Sequence, residues 1–148
     1  MRILADKNVI LDALTSREPW NKSAEKIFLM AANYTIRMHI IASSATDIYY
    51  LIRKHLHNAK EEKLIMGKLY SLTGILEVTA NDCIDALASP ISDYEDTVVE
   101  RVESRTDMDY IVTRNIKDYQ AGDRKIILPD DFVKMVEESE IKNKRANK

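Results

Sequence analysis

Cysteine is nearly absent from this sequence, Cys83 being the only one. A single thiol excludes an internal disulfide and any zinc site built on cysteine, and Cys83 reads as a small, half-buried apolar side chain. Glycine is scarce too: only three occur, at 67, 74 and 122, and none stands in a GxGxxG or GxxxxGK arrangement. Phosphate-cradling loops of the dinucleotide-binding and P-loop kinds are therefore excluded. The stretch "DKNVILD" has the acids of a calcium loop but lacks its glycine and distal glutamate. Apolar runs such as "HIIASSA" and "KIIL" fall far short of the roughly 20 residues of a membrane span, and no basic-then-apolar leader opens the chain. These absences predict a cytoplasmic protein with no membrane partner. Neither charge sign dominates, since 22 Lys and Arg against 24 Asp and Glu leave a formal charge of -2, and the chain as a whole has no pull toward nucleic acid.

What is present describes one folded domain. The 148 residues are 45% hydrophobic, enough to bury a core and too apolar for disorder. Any contact with nucleic acid must come from local patches, and three exist: Arg53, Lys54, His55 and His57; Arg114 and Lys117 around Asn115; and the basic end "KNKRANK". Taken singly, each also reads as a solvated helix face or a tail. His39 reads as a packed strand residue. Of the tyrosines at 49, 50, 94, 110 and 119, most read as half-buried, with Tyr119 the best candidate to stack on a base.

Hydrophobic periodicity alternates between strand and helix. "RILA" and "MHIIAS" read as strands, "SAEKIFLMAA" as a helix after the loop at Pro19 and Trp20, and a further helix runs from about Ala45 to His55. "AKEEKLIMGKLYSL" is helical, with Gly74 as punctuation before a strand "ILEVTA" and a short helix capped by Asn81. "DYEDTVVERVESR" is helical, "DYIVT" and "RKIILP" are strands, and Pro129 opens a last helix. Such alternation predicts an α/β sandwich with a mainly parallel central sheet, in which reactive groups gather beyond the carboxyl ends of the strands.

Acidic residues occupy those ends. Asp6 closes the first strand, Asp47 lies early in the helix after "MHIIASS", Asp93 and Asp96 open "DYEDTVVERV", and Asn115 and Asp118 follow "DYIVT". Asp93, Asp96, Glu100 and Glu103 share one helix stripe, the last two placed to pair with Arg101 or Arg105. Helix dipoles stabilise single carboxylates, but several in one cleft repel one another unless a hard cation neutralises them. Oxygen ligands without cysteine or clustered histidine suit Mg2+ or Mn2+, and their natural chemistry is phosphodiester hydrolysis.

The stretches "ILADKNVILDAL", "SSATDIYYLIRK" and "DYEDTVVERVESRTDMDYIVTRNIKDY" resemble, in order and spacing, the acidic segments of PIN-domain proteins. The resemblance spans roughly residues 1 to 137 as a PIN-like nuclease domain and leaves 138–148 as a basic C-terminal tail. It implies an α/β/α fold and a Mg2+- or Mn2+-dependent ribonuclease of the VapC type, the toxin of a toxin–antitoxin pair, with an RNA substrate, an antitoxin protein as partner and a homodimeric state. An apolar helical face from "IYYLI" and "KLIMGKLYSL" accords with that dimer. Carried over position by position, the catalytic acids are Asp6, Asp47 and Asp96, with Asn115 at the fourth position. Asp6, Asp93, Asp96 and Asp118 become the metal ligands, and Asn8, Thr113 and Arg114 position the substrate.

The chain departs from the family pattern in three places. Lys7 replaces a small hydroxyl residue, and its ammonium competes with a metal unless strand alternation turns it away from Asp6. Asp47 is one methylene shorter than the commoner Glu, and Asn115 is neutral. A catalytically silent PIN-like module that binds RNA or a protein partner is the alternative reading, and Lys7 would account for it.

Overall fold

In the computed structural model, residues 1–91, 93–119 and 125–148 are described, Asp118 by its backbone alone. The apolar segment that opens the chain becomes a central strand, β1 (Arg2–Ala5), flanked by β2 (Arg37–Ile41) and β4 (Tyr110–Val112). β3 (Thr73–Leu76) and β5 (Ile126–Ile127) lie at the edges, giving a parallel sheet in the order β3-β2-β1-β4-β5. Parallel neighbours require crossovers of a dozen or more residues. Helices supply them: α1 (Lys7–Leu14) and α2 (Asn21–Ala32), then α3 (Ala42–Leu56) and α4 (Ala59–Leu72), then α5 (Ala80–Asp85) and α6 (Tyr94–Thr106), with α7 (Pro129–Ala146) last.

Strand side chains alternate between two apolar layers, as the pleat requires. Ile3 and Ala5 face the layer that holds Val9, Ile27, Ile48, Leu69 and Phe132, from α1, α2, α3, α4 and α7. Leu4 faces the opposite layer with Val98, Val99 and Val102 of α6. The architecture is therefore the expected α/β/α sandwich, with the sheet wholly parallel among the described residues. From β1 the chain moves outward through β2 to β3, then returns to lay β4 on the other side of β1. That reversal opens a crevice beyond the carboxyl ends of β1 and β4.

Several local expectations are corrected. The third strand begins at Thr73 and includes Gly74, which pairs with His39. A Cβ at Gly74 would lie 2.6 Å from the His39 ring, so the glycine serves a close approach between strands rather than a break. His39 is packed as anticipated, with Nδ1 3.1 Å from the Arg37 carbonyl, and burial lowers its basicity. The helix after β3 is capped by Thr79, not Asn81, through a reciprocal pair with Asp82. Arg105 pairs with Asp82 at 2.7 Å, tying α6 to α5. Cys83 is exposed. The basic residues beyond 138 continue α7 as helix to Ala146.

Candidate active site

β1 passes into α1 without a loop, which fixes where Asp6 points. Its extended backbone (φ -66°, ψ 152°) makes it the N-cap, and its carboxylate accepts the Lys7 N–H at 2.7 Å. The same carboxylate lies beside the end of β4, where the Thr113 hydroxyl donates to Oδ2 at 2.7 Å. The Asn8 amide donates to Oδ2 at 3.2 Å and reaches the Thr113 oxygen at 3.5 Å. Thr113 is fully buried and in turn accepts the Asn115 N–H at 3.0 Å. Asp6 itself is only 5% exposed. Burial pushes its carboxyl above the ordinary range, the Thr113 hydroxyl and Lys7 N–H pull it back, and the Glu95 charge adds to the rise. The first and fourth segments thus meet through Asp6, Asn8 and Thr113. The Asn115 side chain itself is exposed, and its backbone makes the contact.

The side chain of Lys7 departs from the expectation. Strand alternation does not extend to it, because it is the first residue of α1, and its ammonium turns into the acidic cleft. Nζ lies 2.6 Å from Glu95 Oε1 and 3.6 Å from Asp47 Oδ2. Burial alone would lower its pKa, but Glu95, Asp47 and Asp6 outweigh that and hold it above the usual lysine value. Lys7 therefore joins the second acidic segment to the third through Glu95, a residue not singled out from sequence. Glu95 sits between the more conspicuous Asp93 and Asp96, and only the helix phase shows which of the three reaches Lys7.

Asp93 is exposed and caps α6, accepting the Asp96 N–H at 3.1 Å. Asp96 is buried, and its Oδ1 accepts the Tyr119 hydroxyl at 3.1 Å. Burial pushes the Tyr119 phenol far up, and the charges of Asp6 and Asp96 push it further. Tyr119 is 1% exposed and cannot stack on a base, which corrects that expectation. Asp118 belongs to the short helical turn Ile116–Tyr119; its side chain lies outside the described residues. Arg114 is turned from the cleft toward Asp12, with Nε at 2.7 Å and Nη2 at 3.2 Å from the two carboxylate oxygens. Asp12 is 1% exposed, and the indole of Trp20 covers the guanidinium at 4.1 Å.

The donors of the cleft are oxygens, the chemistry that suits Mg2+ or Mn2+, and Asn8 Oδ1 is buried without a hydrogen-bond partner among the described residues. The positive charge beside Asp47 and Glu95 comes from Lys7. Among the described residues no three His, Cys, Asp or Glu side chains form a ready metal cluster, and no helix is long and apolar enough to cross a membrane.

The PIN domain, as a family, matches residues 2–117. The chain belongs to the PIN-domain family. PIN domains are generally nucleases and typically depend on divalent metal. Two solved structures share this PIN fold. VapBC2 from Rickettsia felis, bound to a DNA fragment from the promoter, is similar with a TM-score of 0.58 at 16% identity, over 86% of this chain and 97% of that one. FitAB bound to an IR36 DNA fragment is similar with a TM-score of 0.62 at 19% identity, over 86% and 94%. No curated protein matches the chain.

Proposed function

We propose that this PIN domain is a metal-dependent endoribonuclease, the toxin of a toxin–antitoxin pair acting in the cytoplasm. The observation that carries the reading is Asp6: a buried carboxylate at the sheet's switch point, held by Thr113 and Asn8, with Asp96 across the Tyr119 hydroxyl and Asp47 and Glu95 around Lys7. In this reading Asp6 and Asp96 hold Mg2+ or Mn2+, with Asp47, Glu95, Asp93 or Asp118 completing the set once Lys7 has moved aside. A divalent ion there supplies an acidified water for in-line attack and offsets charge on the leaving oxygen. Thr113 and Asn8 keep Asp6 in one orientation, so no side-chain freedom is lost when substrate arrives.

Antitoxin pairing draws support from VapBC2 and FitAB, two-component complexes that share the fold. Exposed Tyr50, Leu56, Leu64 and Tyr70 on α3 and α4 support homodimer formation. One observation favours the second reading, a silent module that binds RNA or protein: Lys7 already satisfies Asp47 and Glu95. Cleavage of single-stranded RNA with Mg2+ or Mn2+ by the wild type, Asp6→Asn and Asp96→Asn separates the two. Loss of about 100-fold or more in both variants fits the nuclease. Wild-type protein that binds RNA and never cuts it fits the silent module.

A further inference from the structure

We propose that the hollow lined by Trp20, Arg114, Asn115, Leu128, Pro129 and Asp130 is a subsite that stacks one base of a single-stranded RNA beside the Asp6 site. The proposal rests on the ribonuclease reading and specifies how that substrate is held. The hollow has a volume of about 280 Å3, near the lower end for ligand pockets.

Its floor is preorganised. Asp12, buried at 1% exposure, grips Arg114 through both carboxylate oxygens, and the guanidinium lies 4.1 Å from the centre of the Trp20 ring. A cation held in place under an indole fixes the ring plane. Trp20 still leaves 44% of its surface exposed, so an ordered aromatic platform faces solvent. Bases of single strands stack on such platforms and on guanidinium planes.

The wall chemistry selects a base over a phosphate. Asp130, bonded by the Ser23 hydroxyl, brings a carboxylate that repels phosphate and accepts hydrogen bonds from the amino or ring N–H groups of a base. Leu128 and Pro129 add apolar surface. The hollow is tied to the candidate active site through Asn115, which lines it. The N–H of Asn115 bonds the Thr113 hydroxyl at 3.0 Å, and that hydroxyl bonds Asp6 at 2.7 Å. Two hydrogen bonds thus join the lining of the hollow to the Asp6 carboxylate.

Trp20 is the only tryptophan, so its fluorescence reports on this hollow alone. The test titrates the Asp6→Asn protein, which leaves RNA intact, with a short single-stranded RNA and with an abasic strand of the same length, following Trp20 emission and the anisotropy of labelled RNA. The proposal predicts saturable quenching by RNA and none by the abasic strand. With stacking at about 1–3 kcal/mol per base, Trp20→Ala weakens RNA binding roughly 5- to 150-fold, and Trp20→Phe restores most of it. RNA that binds without moving Trp20 emission, equal binding by Trp20→Ala, or no RNA binding overturns the subsite. Quenching by RNA that the wild type never cleaves supports the subsite and overturns the nuclease reading. Cleavage by the wild type that is indifferent to Trp20→Ala does the reverse.

Discussion

Lys7 supplies from within the chain the positive charge that Asp47 and Glu95 need. With Asp47 and Glu95 both partly exposed, solvent screens these pairs, and each is worth no more than about 1 kcal/mol. A divalent ion entering the cleft must displace that contact. Lys7→Thr, which removes the competitor, is expected to tighten manganese binding about tenfold or more by calorimetry; unchanged or weaker binding would mean that Lys7 does not compete. Asp6 gives a second prediction. Burial holds its carboxyl above the ordinary range, so its contribution to stability is full below the unfolded pKa near 3.8 and falls as pH rises through the higher folded value. Metal-free Asp6→Asn should therefore melt above the wild type at pH 7, and the gap should close toward pH 4. A wild type that melts higher at pH 7 would show that the ionised carboxylate is well satisfied as it stands. Asp6 and Thr113 were legible because they directly follow strands, where α/β sheets collect function, and Asn8 because it lies in the first turn of the helix that Asp6 caps. Glu95 and the direction of Lys7 were not, because both depend on helix phase just past an N-cap.

At the scale of elements, carboxylate pairs fasten helices to one another and to strand ends. Asp12 of α1 grips Arg114 just past β4, and Arg17 stands 3.8 Å away. Removing one partner of a buried pair costs about 3 kcal/mol, so Asp12→Ala should lower the unfolding free energy from urea titration by that much, and a loss under about 1 kcal/mol would place the pair among weak surface bridges. Arg105 of α6, together with the Thr79 cap, draws the Asp82 carboxyl of α5 down to about 2. Its depressed pKa gives stability that is complete above the unfolded value of 3.8 and disappears as pH falls through about 2. Thermal melts between pH 5 and pH 2 should show a steeper acid loss in the wild type than in Arg105→Gln; parallel curves would remove Asp82 from the acid response. Most helices and strands were readable from periodicity. The start of β3 was not, because Gly74 marks a break in sequence, and only its partner across the sheet, His39, shows that the missing Cβ makes room for a ring. The cap at Thr79 was obscured for a similar reason, since Asn81 and Thr79 are both good caps and the reciprocal bond to Asp82 decides between them.

At the scale of the whole molecule, strand order places the chemistry. The reversal from β3 back to β4 puts Asp6 and Thr113 side by side from positions 107 residues apart, and it brings α3 and α6 to the rim with Asp47 and Glu95. Overall charge played no part in locating the site; order of elements did, and that order was visible in the alternation of periods. The pairing of Trp20 with Arg114 was not visible, because a loop residue and a strand-end residue carry no shared pattern in sequence. The central claim is that Asp6 anchors a metal centre. Its most direct test is calorimetric titration of the purified protein with manganese, run beside Asp6→Asn. Saturable binding by the wild type that is lost in Asp6→Asn is the predicted result. Equal binding by both proteins, or none by either at millimolar manganese, would contradict it.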